Sequence, residues 1–184
     1  MIRIVAPDPV PVSELATFVN DCWRHAYADI LPADFLAGMT TYARVAILER
    51  ALDAGSRVLV ARDDDAPAGA ARAGTELSGT GMAGMALYGP SYLDGWEEAG
   101  LLGALYVRPD LIGTGLGHRL LTSAETGLAA MGYTTYVLDV FSANLGAIDF
   151  YASHGYERAG GQTFDVVRGR VYPLDIMTKA GSAS

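Results

Sequence analysis

The sequence predicts a mixed α/β fold, and three observations carry that prediction. Apolar residues recur at helical spacing in some segments and as short β-branched runs in others, and the two patterns alternate along the chain. Closely spaced glycines, Gly113-Thr114-Gly115-Leu116-Gly117, separate a strand-like segment from a helix-like one. The hydrophobic share, 51% of 184 residues, is ample for a sizeable core, and the length suits one domain. We read residues 1–180 as that domain and 181–184 as a frayed tail.

Residues 2–5 alternate as a short strand, and Pro7, Pro9 and Pro11 lead from it into a first helix that Ser13 or a neighbour can cap. Leu15, Phe18, Val19, Cys22, Trp23 and Ala26 recur on one face of that helix, which is expected to end near Asp29. Pro32 opens a short second helix, and Thr40 or Thr41 precedes a third that carries Val45, Ile47, Leu48 and Leu52 to a stop at Gly55.

The run Arg57-Val58-Leu59-Val60-Ala61 reads as a strand, Asp63-Asp64-Asp65 as a solvated turn, and residues 66–81 as a hairpin or flexible insertion. A strand resumes over Met82 to Tyr88, and Gly89-Pro90-Ser91 breaks it. The loop 91–99 carries Tyr92, Trp96, Glu97 and Glu98, and Leu101 to Val107 is then a strand apolar on both faces, as in the middle of a sheet. After the glycines, Leu116, Leu120, Leu121, Ala124 and Leu128 mark a helix closed around Gly132. A strand over Thr134 to Phe141, a helix from Asn144 to Gly155, and strands at about 156–167 and 170–178 complete the order. No internal repeat is visible.

Thirteen basic against 21 acidic side chains give a net charge of −8, which disfavours a phosphate-backbone partner, so nucleic acid is not expected. Mean hydropathy is +0.21, yet every apolar run is broken well short of the roughly 20 residues that a bilayer span needs, so no membrane partner is expected either. The N-terminus lacks a positive segment followed by an apolar one, and the expected compartment is the cytoplasm. The one cysteine, Cys22, falls on an apolar helix face and reads as core, which leaves no cysteine cluster for a metal. His25 and His154 stand singly in helical patterns without partners at ligand spacing, and no metal is expected.

The chemistry concentrates after the strand 101–107. A strand that runs into glycines and then a helix leaves backbone N–H groups free at the helix N-terminus, where the partial positive charge favours a phosphate or pyrophosphate. The spacing is Gly-x-Gly-x-Gly, neither the dinucleotide Gly-x-Gly-x-x-Gly nor a P-loop with its lysine, and glycines in this pattern can also serve only a tight turn. A second segment follows about thirty residues on: Asn144-Leu145-Gly146-Ala147-Ile148-Asp149-Phe150-Tyr151, closed by Gly155-Tyr156.

Together, Val107-Arg108-Pro109, the glycine run and Asn144…Ala147…Phe150-Tyr151…Gly155-Tyr156 resemble the cofactor core of the GCN5-related N-acetyltransferase (GNAT) family. The close resemblance spans about residues 101–157, and a looser one reaches Trp23-Arg24-His25-Ala26-Tyr27 and Ile30-Leu31-Pro32. It implies a mixed central sheet of about seven strands, splayed in the middle between strands 101–107 and 134–141, and flanked by helices. It also implies an acetyl-CoA-dependent N-acetyltransferase acting on a primary amine of a small molecule or peptide by direct attack.

By the same resemblance, acetyl-CoA as co-substrate lies with its pyrophosphate on Ile112, Gly113, Thr114, Gly115, Leu116, Gly117 and His118. Its pantetheine arm bonds along Leu105, Tyr106 and Val107, with Asn144 and Tyr151 near the thioester. Ile112 replaces the family's frequent Gln or Arg, a loss that Arg108, His118 or Arg119 can offset. Tyr151 matches the tyrosine that protonates the departing thiolate; a phenol with a reference pKa of about 10 is a donor at neutral pH. A packed ring with its hydroxyl bonded to backbone is the alternative for Tyr151, and helix capping that for Asn144.

Leu101 stands where relatives carry a glutamate base, so Glu97 or Glu98 acting through water, another carboxylate such as Asp139, or a water chain takes that role. Trp23, Tyr27, Tyr88, Tyr92 and Trp96 are candidates to line an acceptor pocket. A non-catalytic acyl-CoA sensor is the alternative function, and a homodimer is possible on family grounds.

Overall fold

The computed structural model describes residues 1–5, 10–63 and 81–181. They build one seven-stranded sheet from β1 (Ile2–Val5), β2 (Arg57–Asp63), β3 (Met82–Pro90), β4 (Gly100–Val107), β5 (Thr135–Phe141), β6 (Glu157–Val167) and β7 (Arg170–Ala180), in the order β1-β2-β3-β4-β5-β7-β6. Five helices, α1 (Val12–Ala26), α2 (Ala33–Ala37), α3 (Thr41–Asp53), α4 (Leu116–Ala130) and α5 (Leu145–Ser153), flank it. This is the mixed sheet that the sequence predicts. The insertion expected at 66–81 and the tail expected at 181–184 lie outside the described residues, apart from Gly81 and Gly181.

The helices divide the core into two layers. Leu15, Phe18, Val19 and Cys22 of α1 and Leu48 of α3 bury against Val58, Val60, Met85 and Leu87 on one face of the sheet. Leu116, Leu120, Leu121, Ala124 and Leu128, one stripe of α4, bury against Leu102, Leu138, Ala86 and Tyr88 on the other. Glycine admits α4 to that face. A Cβ at Gly127 would lie 2.4 Å from the Tyr88 ring, and one at Gly84 would lie 2.8 Å from Leu120 and 2.9 Å from the Tyr106 carbonyl oxygen. Tyr88 is thus a packing residue under α4 and does not belong to an acceptor pocket. No described helix is long and apolar enough to cross a membrane.

Local boundaries differ from the sequence reading in several places, among them the end of β3, which continues through Gly89 and Pro90, read as its break. The first helix ends at Ala26, with Tyr27 as its C-cap, and Pro11, not Ser13, is its N-cap, with no side-chain cap bond. Asp63 is the last residue of β2 and accepts from Arg108 Nη2 at 3.3 Å, so it is an ion-pair partner and no part of a solvated turn. Thr40 does cap α3: its side chain accepts from Ala43 N at 3.2 Å.

Every neighbouring strand pair is antiparallel except β4 and β5, whose parallel pairing is confined to Gly100↔Tyr136 and Leu101↔Val137. Beyond that point β4 stays paired with β3 as far as Val107↔Gly84, and β5 stays paired with β7 as far as Phe141↔Leu174. Among the described residues the sheet therefore opens along its one parallel seam, and neither inner edge has a strand partner there.

A β-bulge sets what faces the opening. Leu87 pairs with Ala104 but Tyr88 pairs with Leu102, so Gly103 is an extra residue in β4. Leu102 packs on the α4 side, and so do Leu105 and Val107, while Ala104 and Tyr106 turn to the α1 side. Strict alternation would have put Leu102 and Tyr106 on the same face.

Candidate active site

The chain leaves β4 through a single 3₁₀ turn, Pro109–Leu111, and reaches Gly113 and Gly115 at φ +81° and +84°, a left-handed backbone that glycine adopts without strain. Gly115 is the N-cap of α4 and supplies no side chain to the helix end. Arg119 N is the first amide of the helix to bond back, to the Gly115 carbonyl at 3.2 Å. The N–H groups of Gly115, Leu116, Gly117 and His118 consequently find no acceptor among the described residues, and no acidic side chain occupies the first turn. These amides converge at the positive end of a 15-residue helix. Ile112, at the start of the loop, is 64% exposed and donates nothing from its side chain.

The three basic side chains nearest this loop are engaged elsewhere. Arg108 donates to Asp110 at 2.6 Å and to Asp63 at 3.3 Å. Arg119 Nη2 reaches the Ile2 carbonyl at 3.2 Å. His118 Nδ1 lies 2.9 Å from His154 Nε2, and the His154 ring stacks on Phe150 with centroids 4.4 Å apart. The expectation that Arg108 offsets Ile112 is therefore corrected, since its guanidinium neutralises the end of β2. His154, which stands singly in its helical pattern, joins the first turn of α4 to the end of α5.

Asn144 caps α5, its side-chain oxygen accepting from Ala147 N at 3.2 Å, while its own N–H holds the Phe141 carbonyl at 2.8 Å. That cap fixes the start of the helix that carries Tyr151. The Tyr151 ring packs edge-on against Phe150 and Tyr156, at 5.3 and 5.7 Å. Its hydroxyl has no hydrogen-bond partner among the described residues, so the alternative of a hydroxyl tied to backbone is not met. Burial, and then the neighbouring Tyr106 and Asp139, push this phenol up from its ordinary value and keep it protonated.

Leu105, Tyr106 and Val107 form the β4 edge of the opening. The Tyr106 side chain, turned to the α1 side by the bulge, accepts from Trp23 Nε1 at 2.7 Å. Trp23 and Tyr27 pack edge-on at 4.8 Å, and Tyr27 meets Phe141 of β5 at 5.0 Å. One aromatic wall thus runs from α1 to both lips of the seam. The Tyr92 residue is 71% exposed, yet burial of its hydroxyl, with Asp139 and Tyr106 nearby, pushes that phenol up to about 12, which keeps it among the candidates for the pocket, while Trp96 packs with Leu93, Leu101 and Val137 beside the closed end of the seam.

Asp139 lies on β5 between Val137 and Phe141 and shares their face, the one away from α4. It is half-buried, and no cation pairs with it among the described residues. Burial raises its carboxyl above the ordinary range, with Asp165 adding to the rise and its own backbone N–H opposing it. Tyr27 and Tyr151 both feel its charge. Glu97 and Glu98 are exposed in the loop before β4, and the Glu97 carboxyl is held low by its own backbone N–H and then by Gly95 N, from which it accepts at 2.9 Å. Cys22 is buried and its thiol is pushed up to about 12, so it stays protonated as part of the α1 core.

A mixed sheet whose one parallel pairing among the described residues stops after Leu101↔Val137, close to unbonded amides at the N-terminus of a helix, has the split-sheet architecture of acetyltransferases. The acetyltransferase (GNAT) family model matches residues 20–156, and the chain belongs to that family of acetyl-CoA-dependent N-acetyltransferases. Among solved structures, YncA from Salmonella typhimurium, an acetyltransferase with its cofactor acetyl-CoA, is similar at 22% identity and a TM-score of 0.68 over 100% of this chain and 96% of that one. PaiA N-acetyltransferase from Thermoplasma acidophilum, in complex with coenzyme A, is similar at 17% identity and 0.67, over 98% and 99%. The ribosomal-protein-S18-alanine N-acetyltransferase of Escherichia coli follows at 16% and 0.67, over 100% and 96%. At these identities the likeness is one of fold. No curated protein matches the sequence.

Proposed function

We propose that this chain moves the acetyl group of acetyl-CoA to a primary amine of a small molecule or peptide by direct attack. One observation carries the reading: β4 and β5 part beyond Leu101↔Val137, and the unbonded Tyr151 hydroxyl is electrostatically coupled to Tyr106 on one strand and Asp139 on the other. The free amides of Gly115 to His118 suit a pyrophosphate, and the unpaired edge at Leu105 to Val107 suits the amide groups of a pantetheine arm. When bound, acetyl-CoA supplies an activated thioester carbonyl. Ile112, Gly113 and Thr114 shape the loop around the diphosphate, and Asn144 serves through the cap that sets α5.

In this reading the acceptor enters from the α1 side, along Trp23, Tyr27 and Phe141. Asp139 takes the ammonium proton; its raised carboxyl makes it a stronger base than a solvated one, and its burial keeps it within the pocket. Glu97 and Glu98 suit that role less well, since both are exposed and the Glu97 carboxylate is already bonded to the turn it sits in. The freed amine attacks the thioester carbon, the C–S bond breaks as Tyr151 gives its proton to the departing sulfur, and the proton that the new amide nitrogen sheds returns to the Tyr151 oxygen. Holding both partners along the seam supplies much of the acceleration.

The test is thiol release from acetyl-CoA across a panel of amines, with CoA affinity measured by calorimetry. Amine-dependent release that collapses in Tyr151→Phe is expected. Tight CoA binding without turnover on any amine favours the sensor function, and no CoA binding refutes both.

A further inference from the structure

Resting on the acetyltransferase reading, we propose that the acceptor is a small amino acid whose carboxylate is held by Arg44 while its amine faces Asp139. Arg44 projects from α3 and is half-buried. Its Nε donates to Asn20 Oδ1 at 3.0 Å, and its guanidinium carbon lies 4.4 Å above the centre of the Trp23 ring. Asn20 is 2% exposed, so the anchor itself is fixed in the core. With Nε committed to Asn20 and one face to Trp23, both terminal nitrogens remain, and no carboxylate meets them among the described residues. A partly desolvated guanidinium without a counter-ion is costly, and its planar fork matches a carboxylate.

The position of this cation ties it to the acceptor side of the seam. Arg44 lies over the Trp23 ring, Trp23 meets Tyr27 at 4.8 Å, and Tyr27 meets Phe141 at 5.0 Å, two residues from Asp139 on the same face of β5. Tyr27 therefore stands between a cation on α3 and an anion on β5. The two charges do not pair with each other, nor with any other described residue of opposite sign. A ligand that carries a carboxylate and an ammonium complements both at once. A simple amine leaves Arg44 unmet, and a polycation is repelled by it.

The experiment uses the full chain and measures initial rates of thiol release at saturating acetyl-CoA, with a panel of free amino acids and the same compounds as primary carboxamides. At least one acid should exceed its amide by roughly 10- to 100-fold in kcat/KM, the range for a hydrogen bond to a charged group. Arg44→Gln should raise the KM for that acid by a similar factor and draw the acid-to-amide ratio toward one, with Arg44→Lys between the two. Calorimetry with CoA reports whether the variants keep the donor site; should Arg44→Gln fail to fold, the wild-type ratio decides. Amides or simple amines that react as well as the acids overturn the proposal. So does a protein that binds CoA yet turns over none of the acids, an outcome that leaves the donor site standing. Failure to bind CoA brings down the acetyltransferase reading itself, and the proposal with it.

Discussion

Trp23 Nε1 donates to the Tyr106 hydroxyl at 2.7 Å, joining the last turns of α1 to β4 across 83 positions of sequence. The bond holds the aromatic wall against the lip of the seam, and Arg44 rests on the same indole ring. Trp23→Phe removes the donor and weakens the cation–π contact. A loss of about 1–2 kcal/mol in urea unfolding is expected. The KM for the acceptor should rise while that for acetyl-CoA stays within about twofold, because the amides at α4 and the β4 edge are untouched.

Tyr151→Phe keeps the ring packing against Phe150 and Tyr156 and removes only the proton. A fall in kcat of roughly 100-fold or more is expected for a lost general acid, with CoA affinity by calorimetry unchanged. An equal loss in CoA binding would assign Tyr151 to the cofactor grip instead.

Asp139 has its folded carboxyl raised by burial, so the folded state holds the proton more tightly than the unfolded chain does. Its contribution to stability is therefore full at low pH and is lost as pH rises through the folded value. Activity runs the other way, rising as the carboxylate forms. Asp139→Asn should raise Tm at neutral pH, with the gain vanishing in acid, and should remove the acidic limb from the kcat/KM profile along with most of the rate. Melting curves and rates between acid and neutral pH check both signs.

Gly127→Ala puts a methyl group 2.4 Å from the ring of Tyr88, which is 7% exposed and has little room to give way. The helix gains up to about 1 kcal/mol from losing a glycine, but overpacking costs about 1–3 kcal/mol, so a net destabilisation is expected. Combining it with Tyr88→Leu should recover part of the loss, which a double-mutant cycle in urea measures.

The donor half of the site was legible because its signals are local. Gly113 and Gly115 need positive φ, Asn144 needs a cap position, and each fact is written within a few residues of the one it serves. The acceptor half was legible only in part: Asp139 stood among several candidate carboxylates, and the seam and the alternation of β5, invisible in the sequence, set it apart from Glu97 and Glu98. Arg44 reads as the solvated side of a helix, since nothing adjacent in sequence signals Asn20 or Trp23 beneath it. The His118–His154 pairing spans 36 positions and has no local pattern at all. Tyr88 was misplaced because a strand aromatic can face either layer, and the deciding feature, the absent side chain at Gly127, lies on a distant helix.

The extra residue at Gly103 works as a half-step in the phase of β4. Upstream of it the odd positions look toward α1; downstream the even ones do. A single ribbon thereby offers Leu105 and Val107 to one compartment and Tyr106 to the other at the place where the sheet opens. Ironing out the bulge with every residue kept would exchange the two sets, carrying the Tyr106 phenol beneath α4 and Leu105 and Val107 to the α1 side, whereas deleting Gly103 would leave both sets where they are. The bulge, rather than the composition of β4, therefore decides which compartment each side chain of the opened segment enters.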